Sequence, residues 1–258
     1  LEFRFTLTPR FAMSRGDAGS GYNSKAKTSM VGLENLGATC YLNALLQMLF
    51  HINHFRQAVY QIPHKDEENL DESVTFNLQS VFRSLQFERS TVTTKELTKA
   101  FGWNTAQAYM QQDAQEMMRV LLEKLEEKMG KTPVEGTVGR LFSGRLKSYI
   151  RCVGVPVESS REEDFSDVQL DVKGCRGVEE SFRKYIETER LDGENQYDAG
   201  PQFGKQDAEK GAIFLKFPPI LTIQLKRFDF DLQRMCFVKV HDSYEFPERL
   251  DVGAFLAN

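Results

Sequence analysis

The chain has 258 residues and a formal net charge of −4. That length can bury a substantial core in one large or two modest domains, and the acidic balance lacks the basic footprint that nucleic-acid binding requires, so a basic partner fits better. No apolar run approaches the roughly 20 residues of a membrane span, and the first residues lack a signal-peptide layout; the chain therefore reads as soluble and intracellular, in cytoplasm, nucleus or both, with no membrane partner.

Residues 1–22 read as a tail, a linker or the remnant of an upstream domain. Leu1, Phe3, Phe5 and Leu7 alternate with Glu2, Arg4 and Thr6, which suits a strand left from a preceding domain or vector sequence, and residues 13–29 are rich in Ser, Gly and Lys.

Gly32 and Gly37 then mark a loop, and Cys40 stands where that loop turns into a helix. Leu42, Leu45, Leu46, Leu49 and Phe50 follow at the spacing of a helix with one buried face. A thiol in the first turn sits among unpaired backbone N–H groups at the positive end of the macrodipole, where the nucleophilic thiolate is favoured. Attack on a carbonyl would leave an oxyanion, for which the Cys40 N–H and the side-chain amide of Asn35 are candidate donors. On position alone, a lone cysteine before an amphipathic helix is more often a packing residue.

Helical spacing continues through Leu78, Val81, Phe82 and Leu85, and Thr94 is placed to cap a short helix carrying Leu97 and Phe101. The segment Gln111–Met129 is strongly amphipathic, with apolar residues at 114, 117, 118, 121, 122, 125 and 129. Asp113 and Glu116 suit its first turn as caps. From Phe142 the period changes to two. Leu146, Ile150 and Cys152 share one face opposite Lys147 and Arg151, and Val168, Leu170 and Val172 alternate with Gln169 and Asp171. A helix is expected over Val178–Arg190, a polar connection over Asp192–Gly211, and strands at Leu221/Ile223/Leu225 and Cys236/Val238/Val240. The fold class is α+β, a helical front half followed by a sheet-rich back half.

The run Gly32-Leu-Glu-Asn-Leu-Gly-Ala-Thr-Cys-Tyr-Leu-Asn43 resembles the cysteine box of the ubiquitin-specific proteases, and this shifts the weight toward a catalytic Cys40. Gln111-Gln-Asp-Ala-Gln-Glu116, Phe142-Ser-Gly, Asp164-Phe-Ser-Asp-Val-Gln-Leu170 and Pro219–Phe228 resemble further boxes of that family. Phe101-Gly-Trp103, Val134-Glu-Gly136, Leu191–Gly200 and Tyr244–Leu250 most resemble its herpesvirus-associated branch. The resemblance covers residues 23–258. It implies a papain-like hand with a helical thumb, β fingers and a β palm, here with the C-terminal part of the palm missing. It also implies a thiol deubiquitinase that cleaves after the C-terminal glycine of ubiquitin, with Cys40 as nucleophile and Asn35 at the oxyanion. Gln111, Asp113, Glu116 and Phe228 are implied to meet the Arg-rich tail of ubiquitin. Ubiquitin and ubiquitinated proteins are then the partners, and no cofactor is expected.

Two departures carry expectations. In the family a His box lies beyond the segment matched by Tyr244–Phe255, so residues 23–258 are expected to be a catalytic domain incomplete at its C-terminus and inactive alone. His51, His54, His64 and His241 are poor substitutes for the missing base. If the natural chain has no His box, the alternative is a non-catalytic ubiquitin-binding module; an unrelated redox or metal-binding cysteine protein is disfavoured by the spacing. Many relatives also bind zinc through two CxxC pairs in the fingers, whereas here Cys152 is followed at that interval by Val155, and Asp198 and Pro201 hold the second pair's place. No metal site is expected, and Cys175 and Cys236 read as core or surface thiols. Elemental analysis of the purified protein should find no stoichiometric zinc, and a chelator should leave Tm unchanged; near-equimolar zinc would reject this.

Overall fold

The computed structural model describes residues 2–4, 25, 28–64, 69–102 and 113–257, with the backbone alone for 2–4. Most of the tail, Trp103 and Gln111 lie outside the described residues. The chain divides into two compact units, residues 13–141 and residues 1–12 with 142–258. The first is helical and the second is built on sheets, the α+β organisation expected from the change of period.

In the helical unit, α1 (Cys40–His51) buries Leu42, Leu45, Leu46 and Leu49, and half-buried Phe50 meets Phe82 edge-on at 5.6 Å. Extended Ile52 separates α1 from α2 (Asn53–Tyr60), which buries Phe55, Ala58 and Val59. Helix α3 (Val74–Phe87) begins where Ser73 Oγ accepts the Phe76 N–H at 3.2 Å, and it buries Leu78, Val81, Phe82 and Leu85. Thr94 precedes α4 (Lys95–Ala100) as expected, but its hydroxyl makes no cap bond and is buried without a hydrogen-bond partner. Helix α5 (Ala114–Met129) packs against α1 and α3 through the expected stripe from Met117 to Met129, while Ala114 stays exposed. A short helix, α6 (Thr137–Phe142), leads to the sheets.

The sheet unit contains one four-stranded antiparallel sheet. Strand β2 (Gly144–Cys152) lies between β3 (Glu158–Phe165) and β8 (Ala208–Lys216), with β5 (Glu189–Leu191) on the far side of β8. A Cβ at Gly144 would overlap the Phe165 ring, which explains the glycine of the Phe142-Ser-Gly box. Strands β4 (Asp167–Asp171) and β9 (Thr222–Lys226) pair in parallel, and α7 (Val178–Tyr185) packs on β4. Phe182 of α7 is fully buried, stacked on Phe255 at 4.9 Å and edge-on to Phe214 at 5.9 Å and Phe217 at 6.1 Å. Two hairpins complete the unit, β6 (Tyr197–Asp198) with β7 (Lys205–Gln206) and β10 (Phe228–Asp231) with β11 (Cys236–Lys239).

Several expectations are corrected. The helix expected to reach Arg190 stops at Tyr185, because Glu189–Leu191 is drawn into pairing with β8. The polar connection expected over Asp192–Gly211 holds the β6–β7 hairpin and the start of β8, whose Glu209 and Lys210 disguise a strand that hydrogen-bonds on both sides. Strand β3 gave no apolar alternation because it is a sheet edge, with Phe165 its one buried residue. Glu2–Arg4 forms β1, and it pairs antiparallel with β12 (Arg249–Asp251) of the same chain. Among the described residues no helix is long and apolar enough to cross a membrane.

Removing the Phe182 ring should leave a cavity among three aromatic neighbours. Phe182→Ala should cost about 3–5 kcal/mol in denaturant unfolding. Leu232→Ala, at a site 79% exposed, should change stability by less than about 0.5 kcal/mol. Equal effects for both would refute this placement of the core.

Candidate active site

Cys40 is the first residue of α1, and its thiol is exposed. The loop before it is fastened to the helical unit along its length. Gln47 Nε2 donates to Val31 O at 2.8 Å and Asn43 Nδ2 to Glu34 O at 2.9 Å, so α1 holds the loop that precedes it. On the other side, Val92 N–H donates to Gly32 O at 3.0 Å and Glu34 N–H to Val92 O at 2.9 Å. Gly37, at φ 118°, makes a turn that side-chain-bearing residues rarely adopt. The chain then reaches Thr39 and the helix.

Thr39 occupies the N-cap position and is fully buried, but its hydroxyl does not cap α1. It accepts the Leu36 N–H at 3.0 Å and donates to Asn35 Oδ1 at 3.2 Å. The Cys40 N–H has no hydrogen-bond partner among the described residues, and Thr39 O accepts the Asn43 N–H at 2.9 Å to begin the helical ladder. A helix start left open in this way offers donors and about half a positive charge to an anion. Asn35 and Cys40 are both exposed, and the Asn35 amide is fixed by the hydroxyl of Thr39, the residue before Cys40. Tyr41 is held in its neutral form, since burial, with a smaller contribution from Cys40, pushes its phenol above the ordinary range.

The histidines stand elsewhere. His51 ends α1, roughly 16 Å along the axis from Cys40. Burial, and then nearby Arg56, push its imidazole below the ordinary value, so it is neutral at pH 7. His54 is exposed on α2, and His64 Nε2 lies 2.7 Å from Gln79 Oε1. His241 is exposed in the sheet unit. None is hydrogen-bonded to Cys40.

Asp113 and Glu116 both lie in the first turn of α5 and are exposed. Asp113 is the N-cap, its Oδ1 accepting the Gln115 N–H at 2.8 Å, which realises the capping account of this residue. Glu116 has no hydrogen bond or ion pair among the described residues. Gln111 lies outside them. Phe228 begins β10 in the sheet unit and is 65% exposed, on a hairpin that also displays Phe230, Leu232, Met235 and Phe237. Cys152 and Cys175 are buried free thiols and Cys236 an exposed one; among the described residues no group of His, Cys, Asp or Glu is arranged to hold a metal ion.

A profile of the ubiquitin carboxyl-terminal hydrolase family matches residues 31–258. The chain belongs to that family. Its relatives include ubiquitin C-terminal hydrolase 12 of Arabidopsis thaliana, 53% identical over 90% of this chain and 21% of the relative. Ubiquitin carboxyl-terminal hydrolase 15 of Saccharomyces cerevisiae is 49% identical over 91% of the chain and 19% of its own length. Ubiquitin carboxyl-terminal hydrolase 7 of Drosophila melanogaster is 47% identical over 92% and 21%. The chain therefore spans about a fifth of the length of these relatives.

Sequence reasoning singled out Cys40 and Asn35 but did not anticipate Thr39, Asn43 and Gln47, whose side chains tie down the loop before the helix. The available signal was a capping-type residue four positions after an asparagine, followed by amides at helix positions where Leu or Lys would serve. The double duty open to Asp113 is separable by substitution. Asp113→Ala should cost about 1 kcal/mol in thermal or denaturant unfolding, whereas Asp113→Asn, an equally good cap, should stay within a few tenths; equal losses would mean that charge rather than the cap bond holds this helix end.

Proposed function

We propose that residues 23–258 belong to the catalytic domain of a thiol-dependent deubiquitinase that hydrolyses the isopeptide or peptide bond after the C-terminal glycine of ubiquitin. The observation that carries the proposal is Cys40, an exposed thiol at an uncapped helix start with the Asn35 amide fixed beside it. The family match over residues 31–258 supports it. In this reading the Cys40 thiolate adds to the glycine carbonyl carbon, and the carbonyl π pair moves to oxygen, where the Asn35 Nδ2–H and the Cys40 N–H receive it. Collapse expels the lysine amine, which takes up a proton, and leaves a thioester that water then hydrolyses. Both proton transfers need a base and an acid within hydrogen-bond reach. Among the described residues no histidine is hydrogen-bonded to Cys40, and the family resemblance assigns the role to a histidine and a carboxylate or amide beyond these residues.

Ubiquitin and ubiquitinated proteins are the proposed partners. Asp113, Glu116, Gln111 and Phe228 are assigned to the ubiquitin tail, with the carboxylates of the first α5 turn receiving its arginines. The herpesvirus-associated branch is the proposed finer placement, on the segments that resemble it. Four free thiols agree with a reducing compartment, the cytoplasm or nucleus. One second reading is a ubiquitin-binding module without turnover, since among the described residues no histidine is hydrogen-bonded to Cys40.

Hydrolysis of a fluorogenic ubiquitin amide by the full-length protein separates the two. Turnover that Cys40→Ala lowers on the order of 10⁶-fold supports the hydrolase, and binding without turnover supports the module. Residues 1–258 alone should alkylate at Cys40 with iodoacetamide yet hydrolyse no more than Cys40→Ala. Cys40-dependent turnover by that chain would mean that one of its own histidines reaches the thiol. Asp113→Asn and Glu116→Gln should each weaken ubiquitin binding about 10-fold or more in calorimetry, as expected for loss of a charge-assisted hydrogen bond. Parental affinity in both would remove these residues from the tail site.

A further inference from the structure

We propose that Thr39 is a positioning residue for the oxyanion donor: its buried hydroxyl orients the Asn35 amide. The inference rests on the hydrolase reading above and adds a residue to it. Thr39 is fully buried, so its hydroxyl cannot exchange partners with solvent. It already accepts the Leu36 N–H at 3.0 Å, and the acceptor for its proton is Asn35 Oδ1 at 3.2 Å. Rotating the amide by half a turn would present N–H groups to the hydroxyl and leave the buried proton without an acceptor. The arrangement therefore fixes which end of the amide is which. Oδ1 is tied to the buried hydroxyl, and Nδ2, with both hydrogens, makes no hydrogen bond among the described residues and is left free to donate.

The same hydroxyl is withheld from its usual task. A threonine at the N-cap normally accepts an N–H from the first turn of its helix. Here that bond is absent, and the hydroxyl is committed to Asn35 and Leu36 instead. The remaining ties, from Asn43 to Glu34 O and from Gln47 to Val31 O, hold backbone and do not select the amide's orientation.

The test measures kcat and KM of the full-length protein on a fluorogenic ubiquitin amide for Thr39→Val, Thr39→Ser, Asn35→Ala and the Thr39→Val/Asn35→Ala double variant. Loss of an oxyanion donor typically lowers kcat about 10²–10³-fold, and Asn35→Ala should do so. Thr39→Val should lower kcat by about 10-fold or more with KM unchanged, Thr39→Ser should restore the parent value, and the double variant should be no slower than Asn35→Ala, because the hydroxyl acts only through that amide. Parental kcat in Thr39→Val beside a crippled Asn35→Ala overturns this inference and spares the oxyanion assignment. Parental kcat in Asn35→Ala overturns both. Additive losses in the double variant mean that Thr39 acts by another route and also overturn it. Should Thr39→Val fold poorly, Thr39→Ser and Thr39→Ala give a second readout by NMR on residues 1–258: the Asn35 side-chain amide should stay ordered with Ser and become mobile with Ala, and equal order in both would reject the role.

Discussion

At Thr39–Cys40 the helix begins without a side-chain cap bond, because the buried Thr39 hydroxyl that would have made it is bonded to Asn35 and Leu36 instead. An N-cap bond is ordinarily worth about 1 kcal/mol. Its absence is offset by the ties that fix the loop, from α1 through Asn43 and Gln47 and from the segment at Val92. Ordering a loop before substrate arrives shifts the entropic cost from the reaction to folding. The helical unit therefore serves the site twice: its apolar faces hold α1 in place, and two polar residues on α1 hold the loop.

Asn35, Thr39 and Cys40 lie within six consecutive residues, so their mutual geometry is a local property of one turn and one helix end. Recognition is distributed differently. Asp113 and Glu116 are presented by a helix that packs on α1, whereas Phe228 belongs to a hairpin whose strands depend on the sheet unit. Chemistry rests on short-range structure and the proposed binding residues on long-range structure. Damage to the sheets should thus impair recognition while leaving the turn at Cys40 formed.

Legibility followed burial. The stripes of α1, α3 and α5 were readable because each buries one face, and the strands around Val168 and Ile223 because they alternate against the Phe182 cluster. Strand β3 was not readable, since Glu158 to Glu163 meet solvent and pair with cations on β2, as in Lys147–Glu158 at 2.9 Å. Strand β8 is obscured by Glu209, Lys210 and Gly211, although its backbone is bonded to neighbours on both sides. At the candidate site, the sequence singled out a cysteine and an amide but not the direction of the Thr39 hydroxyl bond. A threonine before a helix predicts a cap, and the competing acceptor at Asn35 becomes visible only once Gly37 has turned the loop back on itself.

Hydrogen bonds tie together the tips of the sheet unit, where the resemblance leads one to expect no metal clamp. Val153 N–H, at the end of β2, donates to Asp207 O at 2.9 Å. The Asp207 carboxylate takes Gln196 Nε2 at 2.7 Å and lies 3.5 Å from the Arg190 guanidinium. One residue between β7 and β8 thereby links the β2 hairpin, the segment before β6 and strand β5. Asp198, where a cysteine would be needed, accepts the Gly200 N–H at 3.0 Å and so helps close the β6–β7 turn from within. A metal cross-link supplies its stability in one ligand set that fails as a unit when the ion leaves. These bonds are individually weaker, and loss of one leaves the others in place, so the tip can loosen by degrees while the four-stranded sheet beneath it stays paired.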